Sequence, residues 1–366
     1  NNGLWDQTAA LRWINENIEA FGGNKNNITL LGQSAGGGSA DLLHLSPHST
    51  VLFHKVIPMA GTAECRWAVY QNMPQQCVNK AARLGISDFK NSKELLEKLR
   101  AVPADQLGVK IFKMEKEEDA DFETQPIIDG DFFPASLDEL RKRAIPKPMM
   151  TGIAKEEGLF FIMGKKPCEE HLQEVIALAT RDAKDRETLE EELRSLYVND
   201  EILADKDKLI RAIAHVASDF YLNAGTLELC KKTVCNQDHP VYLYLFDHFN
   251  PKGMGLLGWR MPFFDTTHGG ELMYLFKKGF FANPTLTEAD KTVMWEFTTA
   301  FTNFAKYGNP NGADPSKSQL STEWAPIDKE NCGRQFVFAS KQNYMLDDFF
   351  EGRTAQFIDL VANHRN

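Results

Sequence analysis

Several features that would assign this sequence to a specialised class are missing from it. No apolar run approaches the roughly 20 residues that a transmembrane helix needs, and there are no internal repeats or low-complexity segments. Basic residues are not in excess, since 41 Lys and Arg stand against 51 Asp and Glu, a formal net charge of −10. A nucleic-acid partner is therefore disfavoured, because phosphate binding needs a basic surface. What remains is a chain of 366 residues, long enough to bury a large core.

Cysteine is also scarce. Six cysteines are too few for a disulfide scaffold at this length, and their spacings match no zinc pattern. We expect either buried free thiols or one or two disulfides, and no metal. The chain starts at Asn1 rather than Met, with no charged-then-apolar leader after it. This favours a segment removed upstream or a fragment, and it leaves the cellular compartment open.

Apolar runs and helical periodicities alternate along the chain. Strands are predicted at NITLLG, HKVIPMAG, KPMMTGIAKEEG and HPVYLYLFDH. Helices are predicted over 93–102, 181–197, 206–231 and 288–307, after a first helix that has Asp6 as its N-cap and ends at Gly22. Strands that alternate with helices indicate a mostly parallel sheet with helices on both faces.

The segment Gly32-Gln33-Ser34-Ala35-Gly36 fits the pattern G-x-S-x-G between a predicted strand and a predicted helix. In this setting the pattern predicts a nucleophile elbow, a strained turn that lifts the serine hydroxyl off the sheet edge. We expect both glycines to be required, because a Cβ two residues from the serine would collide across so tight a turn. The helix that starts near Ala35 points its first N–H groups to where an oxyanion would form. A glycine-rich turn with an idle serine is the alternative.

A serine nucleophile needs a base, and the base needs an acid that orients it. The chain order expected for this elbow is serine, acid, histidine. Among nine histidines, His268 in DTTHGGEL is the best candidate, because it follows the strand HPVYLYLFDH in a loop before a helix. Three others follow the serine too closely, and His215 lies in a helical pattern. For the acid, the loop GIAKEEGLFF presents Glu156 and Glu157, which the residues alone do not separate.

These motifs resemble those of the type-B carboxylesterase and cholinesterase family of α/β hydrolases over nearly the whole chain. NNGLWDQTAALRWINENIEAFGGNKNNITLLGQSAGG is similar to the family's approach to its elbow, AKEEGLFF to its acid motif and THGGELMYLF to its histidine motif. FTTAFTNFAKYGNPN and WAPID resemble its C-terminal landmarks. The resemblance selects Glu157 as the acid, because the family's glutamate directly precedes a glycine. It implies an α/β-hydrolase fold and one domain over residues 1–366, the C-terminal two-thirds of the family domain.

The resemblance implies a serine carboxylic-ester hydrolase that works through an acyl-enzyme, with Ser34, Glu157 and His268 as its triad. It implies a small-molecule ester as partner and no cofactor, and it says nothing about the oligomeric state. The N–H of Ala35 would be one oxyanion donor. Two further donors belong to a His-Gly-Gly-type loop that family members carry upstream of the position of Asn1.

No such loop precedes Ser34 in the sequence, because Gly36-Gly37-Gly38 comes after the nucleophile. The resemblance therefore implies that the first strands of the family fold are also missing. We expect residues 1–366 alone to be inactive or nearly so, since the loss of one oxyanion donor lowers turnover by about 10²–10³-fold. We also expect an unpaired, apolar sheet edge.

Departures from the cholinesterase pattern bear on the substrate. Cholinesterases carry a glutamate where this chain has Gln33, so attraction for a cationic choline head should be weaker and neutral, largely apolar esters are favoured. GQSAG is similar to the elbow of juvenile hormone esterases. Ala60 replaces a family serine and removes one hydrogen bond near the triad. Trp67 aligns with an acyl-pocket position, with core packing as an equal alternative, and for Phe263 and Phe264 we expect core packing.

The alternative from another class is a binding module. The family includes adhesion proteins, similar to neuroligins, that keep the fold and lose catalysis. Because residues competent for catalysis occupy all three triad positions, the sequence favours the enzyme.

Overall fold

The computed structural model of the protein describes residues 1–70, 73–107, 125–278 and 284–365. Within these ranges six strands form one sheet, in the order β1-β2-β3-β4-β5-β6. They are Thr29–Gln33 (β1), Lys55–Met59 (β2), Met149–Ala154 (β3), Val241–Asp247 (β4), Gln335–Ala339 (β5) and Tyr344–Leu346 (β6). The first five are parallel and β6 is antiparallel to β5. The predicted mostly parallel sheet is therefore confirmed.

Helices fill the connections between the strands. They are α1 (Asn2–Asn17), α2 (Ala35–Leu45), α3 (Met73–Arg83), α4 (Ser92–Arg100), α5 (Ala104–Leu107), α6 (Leu137–Arg143), α7 (Glu169–Thr180), α8 (Arg186–Tyr197), α9 (Asp200–Ala204), α10 (Lys206–Ser218), α11 (Ala224–Asn236), α12 (Leu272–Phe276), α13 (Glu288–Tyr307) and α14 (Arg353–Asn363). The predicted helix over 206–231 consists of α10 and α11, joined by the π-helical turn Asp219–Asn223. The helix predicted over 181–197 begins only at Arg186, because the side chain of Asp185 caps it there.

Strand β4 shows that helices cover both faces of the sheet. Val241, Leu243 and Leu245 lie in one apolar cluster with residues of α2 and α11. The aromatic residues between them lie in a second cluster, with Phe297 and Phe304 of α13. A strand that is apolar on both sides is typical of a parallel sheet between two helical layers. A third cluster joins α7, α8 and α10 to the turn after β3.

Helix α1 begins earlier than the sequence predicts. Asn1 is its N-cap and Asp6 lies inside the helix. α1 ends at Asn17, and the 3-10 turn Ile18–Phe21 continues it to the predicted stop at Gly22, which is left-handed with φ +79°. The side chain of Asn1 donates to the carbonyl of Ile127 and to the carboxylate of Asp129. These partners lie far along the chain, so local sequence does not reveal where the helix starts.

Strand β1 is an edge strand. It pairs with β2 alone among the described strands, and all five of its residues are partly exposed. The strand predicted at NITLLG is therefore present, and it lies at an apolar sheet edge instead of in the buried interior.

The remaining expectations from composition concern thiols, metals and membranes. All six cysteines are free, and Cys65 and Cys230 are buried. In the described ranges, no group of three or more His, Cys, Asp and Glu side chains could hold a metal ion. No helix in the same ranges combines the length and apolarity needed to cross a bilayer.

Candidate active site

The three predicted site residues lie beyond the carboxyl ends of the parallel strands. Ser34 directly follows β1, Glu157 follows β3, and His268 lies in the loop between β4 and α12. The N–H of Glu156 donates to the carbonyl of Thr266 at 3.2 Å, which joins the acid loop to the histidine loop. This edge of the sheet is where open α/β folds form their ligand sites.

Ser34, His268 and Glu157 form a continuous line of hydrogen bonds. Nδ1 of His268 is 2.6 Å from Oε2 of Glu157, and Nε2 of the same ring is 2.8 Å from Oγ of Ser34. Because an ionised carboxylate only accepts hydrogen bonds, Nδ1 carries the proton that is donated to Glu157. Nε2 then accepts the hydroxyl proton of Ser34. This arrangement can remove a proton from the serine hydroxyl.

Ser34 adopts the backbone conformation of a nucleophile elbow. Its φ of +59° and ψ of −124° lie where residues other than glycine are strained, at a cost of about 1–3 kcal/mol. Its N–H donates to the carbonyl of Met59 at 2.9 Å, which ties the turn between β1 and α2 to the end of β2. Ala35 is the first residue of α2, and the first N–H groups of a helix have no acceptor within it. The N–H of Ala35 is thus a candidate oxyanion donor.

The two glycines of the G-x-S-x-G pattern are not equivalent. A Cβ added to Gly32 would lie 2.1 Å from the carbonyl oxygen of Gly36, a distance that forces the backbone to move. A Cβ added to Gly36 would meet nothing within 4 Å among the described residues. The expected collision is therefore present at Gly32 and wrong at Gly36, which lies exposed in the first turn of α2.

Glu157 is fully buried and accepts two hydrogen bonds. The N–H of Ala154 donates to its Oε1 at 2.6 Å, and His268 donates to its Oε2. The turn that carries Glu157 packs tightly on α10, because a Cβ on Gly158 would lie 1.9 Å from the carbonyl oxygen of Ala214. This close packing explains why a glycine follows Glu157.

The neighbouring Glu156 has different partners. Its carboxylate is 3.5 Å from Nε2 of His215 and 3.9 Å from Nη1 of Arg211, both on α10. Of the two glutamates that the residues alone left open, it is Glu157 that contacts His268.

The charge of Glu157 acts on the protonation of His268. Burial disfavours the imidazolium, but the carboxylate of Glu157 and its hydrogen bond, with a smaller contribution from the nearby Glu271, outweigh burial and raise the pKa of His268 above its ordinary value. The same carboxylate stabilises the imidazolium that forms when the serine proton is taken up.

A model of the Carboxylesterase family matches residues 1–357. The chain belongs to this family. The predicted α/β-hydrolase fold is thereby confirmed, together with the parallel sheet.

Three relatives show how much of a carboxylesterase-family protein the chain spans. Esterase cest-33 of Caenorhabditis elegans is 35% identical over 369 residues, covering 99% of this chain and 65% of that protein. Esterase E4 of Myzus persicae is 27% identical, covering 100% of this chain and 67% of that protein. Human neuroligin-2 is also 27% identical, covering 100% of this chain and 45% of that protein.

Two aromatic residues of this carboxylesterase-family chain that the sequence analysis missed contact the triad. The rings of Phe160 and Phe161 lie 5.6 Å and 5.7 Å from the imidazole of His268, measured between centroids. Phe161 also stacks on Tyr221 at 4.2 Å. They follow Glu157 by three and four residues in EEGLFF, but no local pattern in that stretch places them against the histidine.

Trp67 contacts the same Tyr221 on which Phe161 stacks. Its Nε1 donates to the carbonyl of Tyr221 at 2.7 Å, and its ring comes within 3.4 Å of where a Cβ on Gly38 would lie. Gly38 is in the first turn of α2, four residues after Ser34. Trp67 is half-buried and packs on the third cluster.

Core packing was expected for Phe263 and Phe264, and the structure supports it for Phe263 alone. Phe263 is partly buried and lies 4.2 Å from the guanidinium of Arg211, but Phe264 is 56% exposed, so core packing is wrong for Phe264. Ala60 is left-handed with φ +44°, and its methyl side chain cannot form the hydrogen bond that a serine would form there.

The amide Nε2 of Gln33 is 3.4 Å from Nε2 of His268, so an uncharged side chain adjoins the base.

Proposed function

We propose that the protein is a serine carboxylic-ester hydrolase that works through an acyl-enzyme. The observation that carries this proposal is the line of hydrogen bonds from Ser34 through His268 to Glu157, beside the N-terminus of α2. Membership of the carboxylesterase family and the two esterase relatives support the same reaction class.

In the first half-reaction, Nε2 of His268 takes the hydroxyl proton of Ser34 while Oγ attacks the ester carbonyl carbon. Glu157 holds the imidazole ring and stabilises its positive charge. The N–H of Ala35 donates to the oxyanion of the tetrahedral intermediate. As the ester C–O bond breaks, the imidazolium gives its proton to the departing alkoxide, and the acyl group stays on Oγ.

The second half-reaction repeats these transfers with water. His268 takes a proton from the water molecule as its oxygen attacks the acyl carbon. When the bond to Oγ breaks, the same proton passes to Ser34, and the carboxylic acid leaves. The net change is the addition of one water across the ester bond, and His268 and Glu157 return to their starting state.

We propose that the substrates are neutral and largely apolar esters. The residue before the nucleophile, Gln33, is uncharged and adjoins the base. Phe160, Phe161 and Tyr221 form an apolar surface beside His268, and Trp67 extends it toward α2. Such a surface favours acyl and alcohol groups without charge.

A charge-restoring substitution tests this substrate class. Gln33→Glu is expected to raise the rate at which a cationic organophosphate labels Ser34, relative to a neutral organophosphate, by about 10-fold, because a carboxylate beside the base attracts the cationic reagent. Labelling is used because residues 1–366 alone are expected to turn over little ester, and parallel measurements on the wild-type chain and the variant give the ratio. An unchanged ratio would show that the charge at position 33 does not select the substrate.

The role of Glu157 is testable through pH. Glu157→Gln is expected to slow the reaction of Ser34 with a fluorophosphonate by about 10³-fold and to move its acid limb to lower pH. The direction follows from the pKa of His268, which the carboxylate raises: the neutral base is lost as pH falls through that pKa, and the pKa drops without the carboxylate. The measurement is the labelling rate against pH.

Glu156→Gln is the matched control for this experiment. It changes the adjacent glutamate, which contacts α10 instead of the histidine. If Glu156→Gln slowed the labelling of Ser34 as much as Glu157→Gln does, the assignment of the acid to Glu157 would be refuted.

A binding module is the second candidate, and the similarity to neuroligin-2 over the whole chain favours it. The labelling experiment separates the two candidates, because a binding module needs no activated serine and should leave Ser34 unmodified.

A further inference from the structure

Glu271 is a carboxyl group for which the proposed mechanism has no use. It lies three residues after His268, at the N-cap of α12, and it is fully buried. Neither of its side-chain oxygens has a hydrogen-bond partner among the described residues. A charged carboxylate buried without donors is far less stable than a neutral carboxylic acid in the same place.

The groups that face Glu271 also favour its neutral form. Its titratable neighbours are Glu157, His268 and Tyr244 of β4. Glu157 accepts hydrogen bonds on both oxygens, from Ala154 and His268. The hydroxyl of Tyr244 is buried without a partner, like the carboxyl of Glu271. Two neighbouring carboxyls, one with donors and one without, separate into an ionised and a neutral group.

We propose that Glu271 is a neutral carboxylic acid at neutral pH, which leaves Glu157 as the single negative charge facing His268. The protonation state follows from burial and contacts, whereas its consequence for the reaction rests on the proposed function.

The electrostatics of the site agree with this assignment. Burial first, and the charge of Glu157 second, raise the pKa of Glu271 to about 8, whereas the imidazole of His268 and, more weakly, the residue's own backbone N–H act in the opposite direction. If Glu271 were ionised, a second carboxylate would raise the pKa of His268 further. Less neutral imidazole would then be available at neutral pH to take the proton of Ser34.

Infrared spectroscopy of the whole chain tests the protonation state without any activity. The wild-type protein is expected to show a carboxylic-acid C=O stretch at neutral pH that disappears as pH rises through about 8. Glu271→Gln should lack this band. Absence of the band from the wild-type protein at neutral pH, or its persistence in Glu271→Gln, would overturn the proposal.

Glu296→Gln is the matched control. Glu296 is also buried, but its Oε2 accepts hydrogen bonds from Ser321 and Asn343. Its substitution should leave the band in place. If the band disappeared in this variant instead, the neutral acid would be Glu296.

Thermal stability gives a second readout. A group whose pKa is raised by folding stabilises the folded state at low pH, and that contribution is lost between the unfolded pKa, about 4.3, and the folded value of about 8. The Tm of Glu271→Gln minus that of the wild-type protein should therefore increase as pH rises through this window. A constant difference would contradict a neutral Glu271.

The labelling of Ser34 tests whether Glu271 adds negative charge beside His268. Because Glu271 is already neutral on the acid side, Glu271→Gln should leave the acid limb of the labelling rate where it is. A shift of the limb to lower pH would show that a charge was removed, and would overturn the proposal. If Ser34 of the wild-type protein did not react at all, the proposed function would fail, while the infrared band would still report on Glu271.

Discussion

His268→Gln is expected to slow the reaction of Ser34 with a fluorophosphonate by about 10⁴-fold. Nε2 of the imidazole lies 2.8 Å from the serine Oγ and accepts its proton, whereas a glutamine amide cannot take up a proton near neutral pH. The charge of Glu157 would then have no imidazolium to stabilise. The rate constant of covalent labelling, measured on the whole chain, gives the effect without requiring that the acyl-enzyme be hydrolysed.

His215→Gln serves as the control for that measurement. His215 is also a histidine next to a glutamate, but it lies on α10 and faces Glu156. We expect its substitution to leave the labelling rate within about threefold of the wild-type value, as for changes away from the reacting atoms. A loss smaller than about 10-fold in His268→Gln would mean that another group takes the serine proton.

The second large effect concerns the glycines of the elbow. Gly32→Ala is expected to lower the free energy of unfolding by about 3 kcal/mol or more, because the new Cβ would lie 2.1 Å from the carbonyl oxygen of Gly36. One of the colliding atoms is a backbone oxygen and the other is a Cβ bonded directly to the backbone, so rotation of a side chain cannot relieve the collision. Urea denaturation followed by circular dichroism measures the difference.

Gly36→Ala is the matched variant from the same motif. Its Cβ would meet nothing within 4 Å among the described residues, and alanine is favoured over glycine in a helix by about 1 kcal/mol. We expect unchanged or slightly higher stability. If the two variants lost stability equally, the collision across the elbow would not be what requires Gly32.

The parts of the fold and site that the sequence predicts are those with a local signal. Strand β4 and helix α13 were predictable because their apolar patterns need no knowledge of distant contacts. Ser34 and His268 were predictable because each lies in a loop with a recognisable glycine pattern. The choice of Glu157 over Glu156 needed the family resemblance, since both glutamates have the same local surroundings.

What the sequence did not reveal depends on contacts between distant segments. The start of α1 is held by residues more than a hundred positions away. Phe160 and Phe161 reach His268 because the turn after Glu157 packs on α10, which no local pattern shows. Glu271 looks like an ordinary polar residue at a helix start, and its isolation emerges only when β4 and the acid loop close around it.

The most direct test of the account is to locate the covalent modification that a fluorophosphonate leaves on the whole chain. Peptide mapping by mass spectrometry is predicted to find one modified residue, Ser34, in the wild-type protein and no modification in Ser34→Ala. A wild-type protein that stays unmodified, or one that carries the group on another residue, would contradict a serine activated by His268 and Glu157.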